Sequence, residues 1–287
     1  MSKKNDALSA RMKGYEYVSR IYLTRRTPVI IRIDGKAFHS FTRGFQKPFD
    51  EIFVKSMQDT MKYLCENIQG CVLGYTQSDE ITLVLVDYQN RDSCAWFDNN
   101  IQKMASVSAS MATMAFNKLF SHNVEDLESN LAQEHETDGM TEWVKTMLSY
   151  YRVYRTALKK GAMFDSRAFN IPKEEVVNCL IWRQIDSTRN SIQSVGQANF
   201  SHKQLLGKTC NDIQDMLMLE KGINWNDYPT HLKRGSCCIK KEELINVEKS
   251  TEEGIIFIAT TRNKWVIDTE IPIFTQDKDY VNRLVIV

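Results

Sequence analysis

The chain has 287 residues, 43% of them hydrophobic and 25% charged, which is the balance of a globular protein with a sizeable core. Lysine and arginine total 37 against 36 acids, so the overall charge does not indicate nucleic-acid binding, and such a function would need locally segregated charge. No apolar run approaches the roughly 20 residues of a membrane span, and the polar N-terminus lacks the apolar centre of a signal peptide, so we expect a cytoplasmic protein.

The first half of the chain alternates between strand and helix patterns. The run "VIIRID" predicts a buried strand that ends at Asp34, and helical spacing of apolar residues begins after Asp50. "CVLGYT" and "ITLVLV" predict two further strands, joined by a turn that contains Ser78 and Asp79. A long helix is predicted over 93–120 and a strand over 161–171. The apolar stripe of that helix comprises Phe97, Ile101, Met104, Val107, Met111 and Met114.

This order of elements predicts an α+β fold with a ferredoxin-like βαββαβ core. We divide the chain into a core over 1–172, with an insertion at 121–160, and a helical and mixed C-terminal region over 173–287 that packs on the core as one unit. Helices are predicted at 173–184, 186–200 and 209–221, and "SCCIK" and "GIIFIAT" are strand-like.

The seven cysteines are an odd number with no CxxC pair, which indicates free thiols in a reducing compartment rather than a disulfide framework. The adjacent Cys237 and Cys238, with His231 six positions earlier, allow a metal site. We favour buried thiols on a strand, because zinc sites normally show spaced cysteine pairs.

Charge is segregated within the insertion. Residues 121–142 hold seven acids and no lysine or arginine, whereas 145–160 hold only basic charges. On a helix, Arg152, Arg155 and Lys159 would share one face, with Tyr150, Tyr151 and Tyr154 interleaved. Two interpretations stay open: the acidic and basic segments pair with each other on the surface, or the basic segment faces RNA.

Two carboxylates end neighbouring elements of the predicted core. In a ferredoxin-like sheet the first strand lies beside the central hairpin, so Asp34 and Asp79 meet at one edge. Two carboxylates brought together repel each other unless a divalent cation lies between them, and oxygen ligands suit magnesium. The carbonyl of Gly35 could complete the shell. The alternative is a surface turn at each position, and the role of Glu80 stays open.

Five segments together resemble the tRNA-histidine guanylyltransferase superfamily, and most closely its bacterial and archaeal guanylyltransferase-like proteins. They are "RIDGKAFHSFTRGF", "KPFD", "GYTQSDEITLV", "FDSRAF" and "WRQIDSTRN". The resemblance implies a polymerase-palm core and an enzyme that adds nucleotides to tRNA 5′ ends in the 3′-to-5′ direction, with GTP and ATP or other nucleoside triphosphates as substrates. It also implies a homotetramer, and two magnesium ions held by Asp34, Gly35 and Asp79, with both aspartates catalytic.

The resemblance further implies a set of nucleotide-binding residues: Lys47 and Ser78 near the triphosphate, His39, Phe45 and Asp50 around the activating base, and Lys103, Arg167 and Asn190 as phosphate contacts. Each has a structural alternative. Lys47 could be solvated, Phe45 could belong to the core and Asp50 could cap the helix that starts at Glu51. Lys103 and Arg167 could form surface ion pairs, and Asn190 could cap or face solvent on a helix.

One position departs from the eukaryotic pattern. Members that add an untemplated guanylate to tRNA-histidine carry "HINN" where this chain has "TRNS", which retains Asn190 but places Thr188 at the histidine position. We therefore expect templated repair of 5′-truncated tRNA rather than dedicated guanylate addition. The sequence also fits a nucleotidyl cyclase on the same palm, or a tRNA-binding protein without catalysis. RNA contact is expected from three basic clusters: Arg25 and Arg26, Arg152 to Lys160, and Lys233 and Arg234.

Overall fold

A computed structural model describes residues 3–251 and 254–286. Its helices and strands follow one another along the chain in a mixed order. They are α1 Lys3–Val18, β1 Val29–Gly35, α2 Phe38–Phe41, α3 Glu51–Asn67, β2 Cys71–Gln77, β3 Glu80–Leu85, a 3₁₀ turn Trp96–Asn99, α4 Ile101–Asp138, α5 Glu142–Lys160, β4 Phe164–Asn170, α6 Glu175–Asn199, α7 His202–Leu205, α8 Cys210–Lys221, a 3₁₀ turn Trp225–Asp227, α9 Thr230–Arg234, β5 Ser236–Thr251, β6 Gly254–Asp268 and α10 Asp279–Val285.

The strands form one sheet in the order β4-β1-β3-β2-β5-β6, and every neighbouring pair in it is antiparallel. The first four strands have the order of a ferredoxin-like βαββαβ unit, which confirms the predicted fold class. The β5–β6 hairpin extends this sheet beside β2, although β2 pairs only with the first residues of β5, from Ser236 to Ile239. The C-terminal region therefore shares its sheet with the core.

Both faces of the sheet are covered, and alternate residues of each strand supply the two cores. On β1, Ile31 and Ile33 pack on one side with α3, α4 and α5, whereas Ile30 packs on the other with α6 and α10. An aromatic cluster dominates the first side, with ring centroids 5.0 to 6.3 Å apart among Phe38, Phe41, Phe45, Phe53, Phe116, Phe120, Phe164 and Tyr154. A smaller cluster joins α6 to α8.

The long helix α4 differs from its prediction in its length and in which of its residues are buried. It begins at Ile101, after a turn, and continues through the acidic segment to Asp138. Its partner α5 starts after Gly139, with the Thr141 side chain capping the amide of Val144. Two residues of the predicted stripe are exposed: Phe97 lies in the turn before α4, and Met114 lies outside the buried side of α4, which contains Ala112, Ala115 and Phe116 instead. Small residues allow α4 to lie close to β4. The predicted stripe contains only large apolar residues, so it does not include these small ones.

Two further predictions concern the C-terminal region. The helices predicted at 173–184 and 186–200 are one continuous helix, α6, because Asp186 lies on its surface and does not interrupt it. Cys237 and Cys238 are buried on β5, as favoured. They face opposite sides of the sheet, one in each core, so they cannot share a metal ion with His231.

Within the described ranges, no helix combines the length and apolarity that a membrane crossing needs.

Candidate functional site

The predicted carboxylate pair lies at one edge of the sheet. Residues Ser78 and Asp79 form the two-residue turn between β2 and β3, and Asp34 pairs with Glu80 across the β1–β3 ladder. The backbone amide of Gly35 donates to the carbonyl of Asp79 at 3.1 Å. Gly35 is required for the fold here, because a Cβ at this position would overlap the ring of Phe38. The turn and the end of β1 are thus locked together.

The electrostatics of this edge disfavour two negative charges. Burial raises the pKa of Asp79, and the nearby Asp34 carboxylate raises it further, while the hydroxyl of Ser78 donates to Asp79 at 3.0 Å and lowers it. Compensation from within the protein is weak. Arg167 Nη2 lies 3.9 Å from Asp34 and is more tightly associated with Asp165, at 3.3 Å. A cation supplied from outside would relieve the repulsion.

The donor set at this edge fits magnesium. Across 3–251 and 254–286, no group of three or more histidine, cysteine or acidic side chains could hold a metal ion. An ion held here would therefore take two carboxylates and fill its shell with the Gly35 carbonyl, water and phosphate oxygens. This is how magnesium binds in enzymes that act on phosphates, since it keeps part of its water shell.

Glu80 belongs to a different structure, although it follows Asp79 directly. Its carboxylate accepts from Arg183 Nη1 at 2.9 and 3.2 Å and lies 3.4 Å from Arg32 Nε. All three side chains are largely buried, and both guanidinium groups lie over the ring of Trp182. Burial raises the pKa of Glu80 although both arginines lower it. Glu80 thus pairs α6 to the sheet, and Asp34, its cross-strand neighbour, is close enough to raise the pKa of Glu80 further.

A cleft of about 190 Å³ contains several of the predicted nucleotide-binding residues. Phe45, Lys47 and Asp50 line one wall, Ser78 reaches it from the turn, and α6 contributes Asn190. The α6 wall is polar, with Ser187, Ser191 and Ser194 at helical spacing around Asn190. The structure therefore brings together five predicted residues that come from distant parts of the sequence.

Within the cleft, two residues have internal partners. Asp50 caps α3 by accepting from the amide of Phe53, and it also accepts from the amide of Gln46 and the hydroxyl of Tyr154. Its oxygens are thus committed to the fold, in agreement with the capping alternative. Phe45 is buried and stacks on Phe120 in the aromatic cluster, in agreement with the core alternative, although it also lines the cleft. Lys47 is exposed and forms no ion pair with any described residue.

Three predicted nucleotide contacts, His39, Lys103 and Arg167, lie outside the cleft, and Arg167 instead lies beside Asp34 at the carboxylate edge. His39 is exposed on α2 and is not part of the lining. Lys103 lies in the first turn of α4, capped by Asn100, where Leu23 and Tyr22 meet the start of this helix. Ser108, farther along α4, contacts Ser166 on β4, so Lys103 is displaced along the helix away from the Asp34 and Asp79 edge.

His231 is a cleft residue that the sequence did not indicate for this role. It lies on α9, partly buried, and its Nδ1 is buried without a hydrogen-bond partner among the described residues. Burial lowers the pKa of His231, so the ring is neutral at pH 7. Gly235 fixes this helix against β2, because a Cβ there would overlap the carbonyl of Thr76. A single histidine on a short helix carries no local pattern that would reveal it.

A family model described as tRNAHis guanylyltransferase (Thg1) matches residues 9–172, which include the carboxylate edge and the Lys47 wall of the cleft. The chain belongs to this family. As a member of the Thg1 family it is a nucleotidyltransferase, with the α+β fold described above.

Individual relatives extend the Thg1 match over nearly the whole chain. A bacterial Thg1-like protein solved in complex with ATP is 40% identical, with a TM-score of 0.73 over 97% of this chain and 98% of its own. One in complex with GTP is 37% identical, with a TM-score of 0.70 over 98% and 100% of the two chains. The tRNA(His) guanylyltransferase of Saccharomyces cerevisiae is 26% identical over 76% of this chain and 85% of its own.

Proposed function

We propose that the chain is a magnesium-dependent 3′-to-5′ nucleotidyltransferase that acts on tRNA 5′ ends. The observation that carries the proposal is the juxtaposition of Asp34 and Asp79 at one edge, beside a cleft with a free lysine and a polar helix face. Membership of the Thg1 family supports the reaction class, and the ATP and GTP complexes of the two bacterial relatives support nucleoside triphosphates as substrates.

In this proposal each side chain has a role that its chemistry allows. Asp34, the Gly35 carbonyl and Asp79 hold two magnesium ions, which when bound would neutralise phosphate charge and favour an attacking hydroxyl. Lys47 provides a mobile point charge for the triphosphate, and the Ser78 hydroxyl and Asn190 amide donate to phosphate oxygens. His231 offers its unpaired Nδ1 to a polar atom of the nucleotide.

The proposed reaction proceeds in two displacements. A 5′ monophosphate attacks the α-phosphate of ATP and releases pyrophosphate, which leaves an adenylylated 5′ end; a 5′ triphosphate needs no such step. The 3′ hydroxyl of the incoming nucleoside triphosphate then forms a bond to that 5′ phosphate, and AMP or pyrophosphate leaves. The incoming nucleotide retains its own triphosphate, which becomes the new 5′ end.

We further propose templated repair as the preferred reaction. Thr188 stands where guanylate-adding members carry a histidine, and Thr188 is outside the cleft lining whereas Asn190 is in it. The discriminating experiment supplies full-length and 5′-truncated tRNA with each of the four nucleotides opposite the missing position. Product that follows the template supports repair, and guanylate added regardless of the template contradicts it.

The proposal includes a homotetramer in the cytoplasm. All seven cysteines are free thiols, in keeping with a reducing compartment. Light scattering at the working concentration measures the assembly directly, and a monomer or dimer of full activity would exclude a need for four subunits.

A further inference from the structure

The structure distinguishes among the three basic clusters that the sequence offers for RNA. Arg25 pairs with Asp98. Arg26 donates from its backbone amide to Asp87 Oδ2 and from its guanidinium to the carbonyls of Asp87 and Asn90. Both arginines of the first cluster are therefore used within the fold.

The cluster on α9 is also used within the fold. Lys233 is buried and donates to the carbonyl of Asn226, beside the ring of Trp225. The guanidinium of Arg234 lies over the same ring, 5.9 Å from its centroid. These contacts leave the cluster on α5 as the one available to a partner among the three.

The basic α5 face consists of Arg152, Arg155, Lys159 and Lys160, all exposed. Across the described parts of the chain, no carboxylate lies within 4.0 Å of any of these four cations. Charges from both helices act at Tyr151: Glu128 on α4 raises its pKa and Arg155 on α5 lowers it. The acidic part of α4 therefore approaches α5 near Arg155. Arg152, Lys159 and Lys160 have no acidic partners among the described residues.

Interaction with the helix dipole accounts for only some of the four cations on the basic α5 face. Lys159 and Lys160 lie in the last turn of α5, where cations interact favourably with the helix dipole. Arg152 lies about two turns earlier, beyond the range of that effect. Its exposed charge has no structural role that the described contacts show.

The basic α5 face leads to the carboxylate edge. After Lys160, three residues connect α5 to β4, whose first residue, Phe164, pairs with Gly35. The amide of Lys36 donates to the carbonyl of Met163 at 2.8 Å, so this connection lies against the residue that follows Asp34 and Gly35. Gly44 packs against Val153, which places the exposed Arg43 beside the middle of α5.

We propose that the basic α5 face binds the phosphate backbone of the RNA duplex whose 5′ end lies at Asp34 and Asp79. This inference rests on the proposed function for the position of the 5′ end. Arg152 and Lys159 are separated by about 10 Å along the helix, a span that reaches several successive phosphates of one strand. Contacts of this kind fix the position of the duplex without reading its sequence.

The test measures RNA binding and nucleotide binding separately in the intact protein. In the double variant Arg152→Ala with Lys159→Ala, we expect affinity for a 5′-truncated tRNA to fall about tenfold, and the slope of log affinity against log salt to fall by about 1 to 2. Affinity for ATP alone should not change. Because both side chains are exposed, the thermal midpoint should also stay the same.

A matched control removes the same charge elsewhere: Lys203→Ala with Lys208→Ala, both exposed on the side of the molecule formed by α7 and α8. Equal loss in the control, or unchanged RNA affinity in the α5 variant, overturns the proposal. A changed oligomeric state with unchanged RNA affinity also overturns it and identifies a subunit contact instead. Loss of RNA binding in the α5 variant, in a protein that adds no nucleotide to any tRNA, would support this surface while contradicting the proposed reaction.

Discussion

Asp79 and Glu80 are adjacent in sequence but belong to two regions with opposite electrostatic designs. At the sheet edge, Asp34 and Asp79 are partly exposed, repel each other and have only a weak partner in Arg167. One residue later, Glu80 is buried between Arg32 and Arg183, with its charge fully paired. A single Ser-Asp-Glu segment therefore leaves one acid with only a weak partner among the described residues and commits the next acid to the stability of the fold.

The largest expected effect is the loss of activity in Asp79→Asn. The change removes a proposed magnesium ligand, which should lower kcat/KM for nucleotide addition by at least about 1,000-fold. Stability at pH 7 should not fall, because the pKa of Asp79 is raised in the fold and the charged carboxylate is disfavoured there.

Asp165→Asn is the control for that variant, since Asp165 pairs with Asp34 in the β1–β4 ladder at the same edge. Steady-state kinetics on a truncated tRNA and denaturant unfolding give the two readouts. Full activity in Asp79→Asn would remove the metal assignment.

Glu80→Gln tests the other half of the comparison. Removing this buried charge leaves Arg183 with only Asp186, at 3.5 Å, and takes the acidic partner from Arg32, so the free energy of unfolding should fall by about 3 kcal/mol. Urea titration measures the change. Glu243→Gln breaks an exposed ion pair with Lys264 and should cost less than about 1 kcal/mol. Similar losses in both variants would show that the Glu80 pair contributes no more than a surface contact.

His231→Asn should raise the nucleotide KM about tenfold with little change in kcat, since one hydrogen bond to the bound nucleotide is lost. As a control, His202 is exposed on α7, and His202→Asn should leave KM unchanged.

The pH dependence of stability gives a second test of His231. Because burial lowers the pKa of His231 in the fold, the unfolded chain takes up a proton first as pH falls through about 6.5. Wild-type stability should thus decrease below that pH more steeply than the stability of the variant.

The smallest effect is expected from Ser78→Gly. Ser78 has φ near 50°, a left-handed conformation that costs a non-glycine residue on the order of 1 kcal/mol. Glycine should raise the free energy of unfolding by up to about that amount, while loss of the hydroxyl that orients Asp79 lowers activity several-fold. Ser78→Ala retains the strain and loses the hydroxyl, so a gain in stability there would contradict this account.

The sequence could predict the carboxylate edge because both aspartates end strands whose order follows from local patterns. The ferredoxin-like order then places those ends side by side. The role of Glu80 could not be predicted in the same way, because its main partner, Arg183, lies 103 positions later on a helix with no local signal for that contact. The division of the chain at residue 172 stays a prediction.

The sequence predicts less well which residues of the long helices are buried and where these helices end. Periodicity identified α4, but the apolar stripe chosen from large residues included Phe97 and Met114, which are exposed. The tight contact with β4 is made by small residues, and the sequence does not show which neighbour requires them. The sequence also predicts two helices where the structure has the single helix α6, in which Asp186 lies on the helix surface beside Arg189.

Helix α6 links the Glu80 ion pair to the wall of the cleft at a fixed distance. Arg183 anchors it in the core and Asn190 lines the cleft, seven residues or about 10 Å farther along the same side. The pitch of an uninterrupted helix therefore sets where the cleft wall stands relative to the sheet. One residue inserted between Arg183 and Asn190 would turn the amide of Asn190 by about 100° relative to Arg183 and move the cleft wall out of register with the sheet.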